Sequence, residues 1–316
     1  MEKRFTVLSG KDVTNVREER IDWLVEGLLP AIGTSIMGAA PKTGKSVLAR
    51  QLAAFVRRGI PLLGGEVKQG ATLYFSTQER PGPIAAHFHA LGCSDENVPD
   101  LITEKGFDRK SSLQMLDEAI SGKGYALAVI DMIVDFLPVK DTNDYEETRK
   151  VFAGLAQLAQ KHRLHIAVTH HTKKVTPDNP VQAFIGSTAI TGSVDQLLCM
   201  SVDKYQNRYL VTSQRYGESM PETELRWDKE QRAMYLGRSA DELKTEQAAK
   251  TEERIEKGLV EFIQRSPRST LEEILNSVTG DRTIKYRTFK VLKDTGQLLA
   301  SGTGQKNDPF RYEFAN

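Results

Sequence analysis

Short apolar runs alternate with longer amphipathic segments through the first part of the chain. Four runs have the length and composition of buried strands: residues 33–37, 71–76, 125–131 and 164–169. Four segments between or after them have helical spacing of apolar residues: 47–58, 81–91, 111–120 and 145–161. Strands that alternate with helices predict an α/β fold, with a mostly parallel sheet covered on both faces.

The pattern changes beyond Ser187 to short strand-like segments without long helices between them. These segments are residues 197–202, 208–213, 224–228 and 232–236. We expect them to add to one edge of the sheet as antiparallel strands. The predicted organisation is an irregular arm over 1–20, a large domain over 21–237 and a polar, partly helical linker over 238–253.

The last part of the chain, residues 254–316, predicts a small second domain. Its pattern predicts helices over 255–265, 270–278 and 282–293, followed by strands over 297–300 and 310–314. This order is typical of a winged helix. The third helix carries several basic residues and no acidic one: Arg282, Lys285, Arg287, Lys290 and Lys293. It is a candidate surface for duplex DNA, although such a helix can also contact protein or be merely solvated.

Composition narrows the class of protein without selecting a partner. The chain has 316 residues, 27% of them charged, and a net charge of +1, so a nucleic-acid surface has to be local. Cys93 and Cys199 fit no metal-binding spacing and favour a reduced, cytoplasmic compartment. We expect no membrane span, because the most apolar run, 125–139, contains Asp131 and Asp135.

Between the first strand and the first helix lies a sequence with the spacing of a phosphate-binding loop. It runs Gly38-Ala39-Ala40-Pro41-Lys42-Thr43-Gly44-Lys45-Ser46, with alanine in place of the first glycine. The loop from Ala39 to Ser46, together with Val47 at the predicted start of the helix, is therefore a candidate to bind ATP. Lys45 would contact the β- and γ-phosphates and the Ser46 hydroxyl would hold Mg²⁺. The alternative is an ordinary glycine-containing turn, which the alanine favours.

Acidic residues at strand ends supply candidates for the rest of such a site. Asp131 ends the most apolar strand and is placed to hold Mg²⁺ together with Ser46, whereas Asp135 is a weaker candidate. Glu79 follows the neighbouring strand and could orient the attacking water and accept its proton. Gln78 is the alternative at that position, and an amide could orient water without accepting its proton.

Two further residues have candidate roles in sensing or hydrolysing the nucleotide. His170 ends the fourth strand beside His171, where a polar side chain could sense the γ-phosphate and signal to the following loop. Arg215 closes a late strand and could be an arginine finger that enters the site of a neighbouring subunit. The alternative for Arg215 is an ordinary surface arginine.

Taken in order, these motifs resemble the RecA-like ATPase core over about residues 20–236. The resemblance rests on the segment with Trp23, the phosphate loop, Asp131, the 169–172 segment and Arg215-Tyr216-Gly217. The most similar group is that of hexameric plasmid RepA-type and phage replicative helicases. The resemblance implies a hexameric ring with catalytic sites between subunits, and it implies that the loops 140–145 and 173–186 contact single-stranded DNA through residues such as Lys173 and Lys174.

Two positions depart from that helicase pattern. Related helicases often carry Lys-x-Arg where this chain has Ser213-Gln214-Arg215, so one of two cations is absent. The position of the water-orienting glutamate is also ambiguous between Gln78 and Glu79. We therefore expect an ATP-driven translocase or helicase for replication of a mobile element. The alternatives are an ATP-switched DNA-binding or loading protein and a filament-forming recombination or repair ATPase.

Overall fold

The computed structural model describes residues 9–15, 21–104, 106–136, 145–172 and 192–315. The chain divides into two units, 1–239 and 240–316. Unit one contains eleven strands in its described part: β1 Trp23–Val25, β2 Leu29–Pro30, β3 Gly33–Ala39, β4 Ala71–Ser76, β5 Asp100–Ile102, β6 Tyr125–Asp131, β7 His165–His171, β8 Gln196–Val202, β9 Arg208–Gln214, β10 Thr223–Asp228 and β11 Ala233–Ser239. Its described helices are α1 Gly10–Asn15, α2 Lys45–Arg58, α3 Pro81–Ala90, α4 Ser112–Ile120, α5 Ile133–Phe136 and α6 Tyr145–His162.

Nine of these strands form one sheet in the order β11-β10-β9-β8-β3-β7-β6-β4-β5. The six strands from β8 to β5 run parallel, and β9, β10 and β11 extend the sheet antiparallel. Side chains of the central strands alternate between two cores, as in β3, where Met37 faces one and Ile36 the other. One core includes α2 and α3, and the other α4, α5 and α6. The prediction of a mostly parallel, two-sided α/β sheet is confirmed.

One prediction about the sheet was wrong. The segment 197–202 was expected to be antiparallel, but β8 runs parallel to β3 and is the last parallel strand on that side. Its apolar residues pack into both cores, as expected for a central strand. The alternation of apolar residues determines which face a side chain occupies and carries no information about strand direction.

Unit two contains α7 Ala240–Arg265, β12 Ser269–Thr270, α8 Leu271–Asn276, α9 Arg282–Asp294, β13 Leu298–Ser301 and β14 Arg311–Phe314. Its sheet has the order β12-β14-β13, and its core packs α7, α8 and α9 against Leu298 and Tyr312. Helix α7 begins well before residue 255, so the described part of the 238–253 segment is helical from Ala240 onwards. The described helices include none long and apolar enough to cross a membrane.

The sheet order places several strand ends together. In the parallel part, Ala39 of β3 lies beside His171 of β7, and Ser76 of β4 beside Asp131 of β6. These are the carboxyl ends of their strands, where ligands bind in open parallel sheets. The candidate residues of β3, β6 and β7 therefore lie together at the carboxyl ends of these strands.

Candidate nucleotide site

The segment between β3 and α2 is a tight loop at the positive end of a helix. Lys42 and Gly44 adopt positive φ angles of 64° and 109°. The Thr43 hydroxyl donates a hydrogen bond of 2.7 Å to the carbonyl of Ala40, which closes the turn. Helix α2 then begins at Lys45, so its unpaired backbone N–H groups point into the loop. This geometry is suited to binding a phosphate group.

Ala39, the residue in place of the first glycine, causes no conflict with this loop. It is the last residue of β3, so its backbone is extended and does not require glycine. Its methyl group is fully buried in the core that includes α2. The alanine is therefore compatible with a phosphate-binding loop, because the positive φ angles occur later, at Lys42 and Gly44.

Val47, the last residue of the candidate segment, lies inside the first turn of α2. The apolar spacing predicts a helix from Val47 onwards, and this boundary was wrong, because α2 already begins at Lys45. The Val47 side chain is half-buried and packs against the core that includes α2. This apolar side chain has no group that can bind phosphate. A contribution of Val47 to nucleotide binding would come only from its backbone N–H, one of the unpaired donors at the start of the helix.

The Lys45 ammonium group is buried against three acceptors. It donates to the carbonyls of Ala39 and Ala40 at 2.8 and 3.0 Å, and it lies 2.9 Å from Nδ1 of His171. That nitrogen must be the acceptor, because a charged lysine has only donors. Burial lowers the pKa of Lys45 to about 8, and the Asp131 charge partly opposes this shift. The lysine is thus positioned before any ligand arrives.

Asp131 is held by two hydroxyl groups at the buried end of β6. The Tyr74 hydroxyl donates to one carboxylate oxygen and the Thr169 hydroxyl to the other, each at 2.6 Å. Burial, followed by the charge of Asp131, raises the pKa of Tyr74, so this phenol remains a donor. Each carboxylate oxygen keeps a further lone pair for another ligand.

These groups fit a nucleotide with a bound Mg²⁺. Lys45 supplies a cation, α2 supplies N–H donors, and Ser46, the second residue of α2, supplies a half-buried hydroxyl. Ser46 and Asp131 offer the hard oxygen ligands that Mg²⁺ prefers. The carboxyl ends of the parallel strands therefore present both hydrogen-bond donors for phosphate and oxygen ligands for the metal.

The two candidates after β4 have different partners. A carboxylate oxygen of Glu79 lies 2.5 Å from a guanidinium nitrogen of Arg50 on α2. The Gln78 amide donates to Asp135 at 2.8 Å, and the Thr77 hydroxyl donates to the same Asp135 oxygen at 3.0 Å. Glu79 is therefore paired with the helix that follows the phosphate loop.

Arg50, which the sequence did not suggest, pairs with Glu79 and lies near Tyr74. Its side chain is buried on α2, and its charge partly opposes the raised pKa of Tyr74, the residue whose hydroxyl donates to Asp131. Tyr74 and Thr169 are thus hydrogen-bonded to Asp131, and Arg50, near Tyr74, pairs with Glu79. Arg50, Tyr74, Asp131 and Thr169 come from α2, β4, β6 and β7, so these four elements meet in this region.

The structure distinguishes the two histidines at the end of β7. His171 contacts Lys45, whereas Nδ1 of His170 is buried without a hydrogen-bond partner among the described residues. Burial lowers the pKa of His170 to about 4, with His171 and Lys45 adding to the shift. His170 is therefore neutral near pH 7. The residue beside the phosphate loop is His171, which the sequence analysis did not single out.

Arg215 lies near the amino ends of the parallel strands, whereas the phosphate loop of the same chain lies at their carboxyl ends. It follows Gln214, which pairs with Gln196 near the start of β3. Strand β3 has seven residues, so its amino and carboxyl ends are roughly 20 Å apart. The guanidinium is half exposed and forms a 3.1 Å ion pair with Asp195. Arg215 thus cannot reach the phosphate loop of the same chain.

Two contacts from the antiparallel strands to the loop region were missed by sequence reasoning. Arg208 of β9 donates to the carbonyl of Thr43 at 3.0 Å. Gln51 of α2 exchanges two hydrogen bonds with the backbone of Met234 in β11, at 2.7 and 2.9 Å. A methyl group at Gly44 would also lie 2.6 Å from the end of the Met234 side chain. No local sequence signal marks these contacts, because each joins residues more than 160 positions apart.

The predicted nucleic-acid residues are only partly covered by the structure. Lys173 and Lys174 and most of the two predicted DNA loops lie outside the described residues. On α9, Lys285 donates to the carbonyl of Val278, and Arg287 pairs with Glu252 of α7. Arg282 and Lys290 are exposed on the same helix. Two of the basic side chains of α9 are thus engaged within unit two, so fewer are available to contact DNA than the sequence suggests.

A family model described as an AAA domain matches residues 2–177, more than half of the chain. The chain belongs to this AAA domain family. It is therefore a P-loop ATPase, and the phosphate loop, β6 and β7 all fall inside the matched range. ATPases of the AAA type often form oligomers. No curated protein matches the chain.

The pKa of Lys45 predicts an unusual pH dependence of nucleotide binding. Because this pKa is lowered to about 8, the free lysine loses its proton as the pH rises through that value. Above it, binding has to restore the charge, so ATP affinity should fall by up to about tenfold per pH unit. Calorimetric titration with a non-hydrolysable ATP analogue at several pH values measures this fall. Lys45→Arg, which stays charged, should lack it; an equal fall in both proteins would contradict the prediction.

The hydroxyl contacts of Asp131 predict a role for Tyr74 in metal binding. Tyr74→Phe removes one donor to the carboxylate and should raise the Mg²⁺ concentration for half-maximal ATPase by about 10–100-fold. Tyr125→Phe is the matched control, because Tyr125 also donates to a carboxylate, Asp100, but lies at the start of β6. Equal Mg²⁺ dependence in both variants would show that Tyr74 does not support the metal site.

Proposed function

We propose that this protein is a RecA-like, ring-forming ATPase that moves along or unwinds DNA, most consistent with replication of a mobile element. The position of Arg215 carries the assembly part of this proposal. Its guanidinium lies near the amino ends of the parallel strands, whereas Lys45 lies at their carboxyl ends. An arginine finger acts only when it lies near the same nucleotide as the lysine of the phosphate loop. A complete site therefore combines Lys45 of one copy with Arg215 of the next. A ring, hexameric in the helicases that the sequence resembles, satisfies this for every copy.

In this proposal the chain's own residues act mainly by positioning charge. Lys45 and the first N–H groups of α2 hold the phosphates, and Ser46 and Asp131 hold Mg²⁺. The metal, when bound, neutralises charge on the phosphate oxygens. Arg215 of the adjacent copy stabilises the charge that develops in the transition state. The end of β7 senses the γ-phosphate through His170 or through its neighbour His171, which already contacts Lys45.

Glu79 is the proposed base that orients the attacking water and accepts its proton. Its ion pair with Arg50 supports a position near the metal site, because the Arg50 charge influences the pKa of Tyr74 and Tyr74 donates to Asp131. One carboxylate oxygen of Glu79 is engaged by Arg50, so in this proposal Glu79 turns toward the water when ATP or the adjacent subunit binds. Gln78 remains the alternative, and its amide would give slow hydrolysis.

The DNA part of the proposal rests on the helicase resemblance and on unit two. Residues 21–237 would form the ATPase domain and 254–316 a winged helix, with Lys173 and Lys174 on single-stranded DNA in the channel. The order of α7, α8, α9, β13 and β14 supports the winged-helix assignment. Arg282 and Lys290, with Lys285 and Arg287, would contact duplex DNA. The rival function is an ATP-switched DNA-loading protein, which the pairing of Glu79 with Arg50 favours if hydrolysis proves slow.

The first test compares ATP hydrolysis with and without single-stranded DNA. A motor should hydrolyse ATP faster on DNA and displace a paired strand, and Lys45→Ala should abolish turnover because the phosphates lose their cation. Wild-type turnover by Lys45→Ala would refute the nucleotide site. Turnover that DNA does not change, together with no strand displacement, would favour the loading protein.

The second test asks whether Arg215 acts on a neighbouring copy. Arg215→Ala should bind ATP normally but hydrolyse it about 10³–10⁵-fold more slowly. Mixing it with inactive Lys45→Ala should restore part of the activity, because some interfaces then combine an intact loop with an intact arginine. Arg226→Ala, which removes another exposed, ion-paired arginine, is the control and should be fully active. If mixing restores nothing, Arg215 does not act between subunits.

A further inference from the structure

Unit two contains an open groove with aromatic walls, which we call the aromatic groove. It has a volume of about 770 Å³ and is lined by α8, the first turns of α9 and the segment before β14. Tyr286 and Phe310 line it and are 51% and 48% exposed, although large apolar side chains are usually buried. Tyr312, also in the lining, is only 5% exposed. The lining of the groove thus includes two half-exposed rings and one buried ring.

The walls of the groove are held in place by the fold of unit two. Tyr312 packs edge-to-face on Phe289 of α9, with the ring centres 4.8 Å apart. The Phe310 ring lies against Gly304, where a methyl group would be only 2.6 Å from the ring. Gly304 also has a positive φ angle of 77°, so glycine is favoured there for two reasons. The position of Phe310 is therefore determined by the turn that precedes β14.

Cations flank Tyr286 along the exposed face of α9. Arg282, Tyr286 and Lys290 are spaced four residues apart and lie on one face of the helix, and all three are exposed. Arg282 also lines the groove. The lining includes one carboxylate, Glu272 of α8, whereas α9 carries no acidic residue before Asp294. Arg282 and Lys290 thus place two positive charges on the helix face that carries Tyr286.

We propose that the aromatic groove binds an unstacked base of a single-stranded nucleic acid, with Tyr286 and Phe310 against the base and Arg282 and Lys290 near the adjoining phosphates. Aromatic side chains stack on bases irrespective of sequence, and neighbouring cations bind the backbone. The volume is in the range of pockets that enclose small planar ligands. An apolar peptide would use the rings but not the two cations. This inference rests on the proposed nucleic-acid function and assigns part of it to unit two.

The test uses the full chain without nucleotide and two fluorescent strands of equal length, oligothymidylate and an abasic strand. The abasic strand keeps every phosphate and loses every base, so the affinity ratio between the strands isolates base contacts. Binding by anisotropy should favour oligothymidylate about tenfold. Tyr286→Ala and Phe310→Ala should remove this preference, and Tyr286→Phe should keep it. Leu299→Ala, which shortens another exposed apolar residue of unit two outside the groove, should also keep it.

Each alternative result has a distinct meaning. Equal binding of both strands by the wild-type protein would overturn the groove proposal while leaving phosphate binding intact. Binding of neither strand would overturn it together with the nucleic-acid function. A preference that survives both alanine variants would place the base contacts elsewhere and overturn the proposal. Repeating the titration with oligouridylate identifies whether the base comes from DNA or RNA, and a preference in either strand supports the groove.

Discussion

The buried ammonium group of Lys45 is the interaction on which the rest of the site depends. Removing a charge from water is costly unless hydrogen bonds and opposite charge replace the solvent. Here two carbonyls of the loop, the His171 ring and the nearby Asp131 carboxylate provide that replacement. The loop conformation, the end of β7 and the end of β6 are therefore mutually dependent. An arriving phosphate would replace contacts that already exist and would not have to organise the lysine.

The local parts of this site could be predicted from the sequence because their signals are local. The spacing around Lys45 and the apolar run that ends at Asp131 gave the loop, α2 and β6. Lys45 and Asp131 lie together because both follow or end strands at the carboxyl side of the parallel sheet, as expected for parallel strands. The departure at Ala39 proved harmless for a reason that the sequence could not show: the residue still belongs to β3. The start of α2 was predicted too late, at Val47, because Lys45 and Ser46 are polar and add nothing to the apolar spacing.

The remaining contacts depend on which side chains meet across the fold. The pairing of Arg50 with Glu79, of Lys45 with His171 and of Arg208 with Thr43 joins residues 29, 126 and 165 positions apart. Nothing in the local composition marks one arginine of α2 as a partner of Glu79 and another as a surface residue. The direction of β8 has the same origin, since strand polarity depends on the path of the chain between strands.

The paired hydrogen bonds between Gln51 and Met234 have a consequence for how the sheet ends. Strand β11 is an edge strand, and unpaired N–H and C=O groups on such strands invite pairing with a second chain. At Met234 the Gln51 carboxamide supplies the donor and the acceptor that a further strand would offer. Continuation of the backbone ladder from one molecule into another is blocked at this point. Copies that meet along this edge would therefore have to contact each other through side chains at Met234, and not through backbone hydrogen bonds.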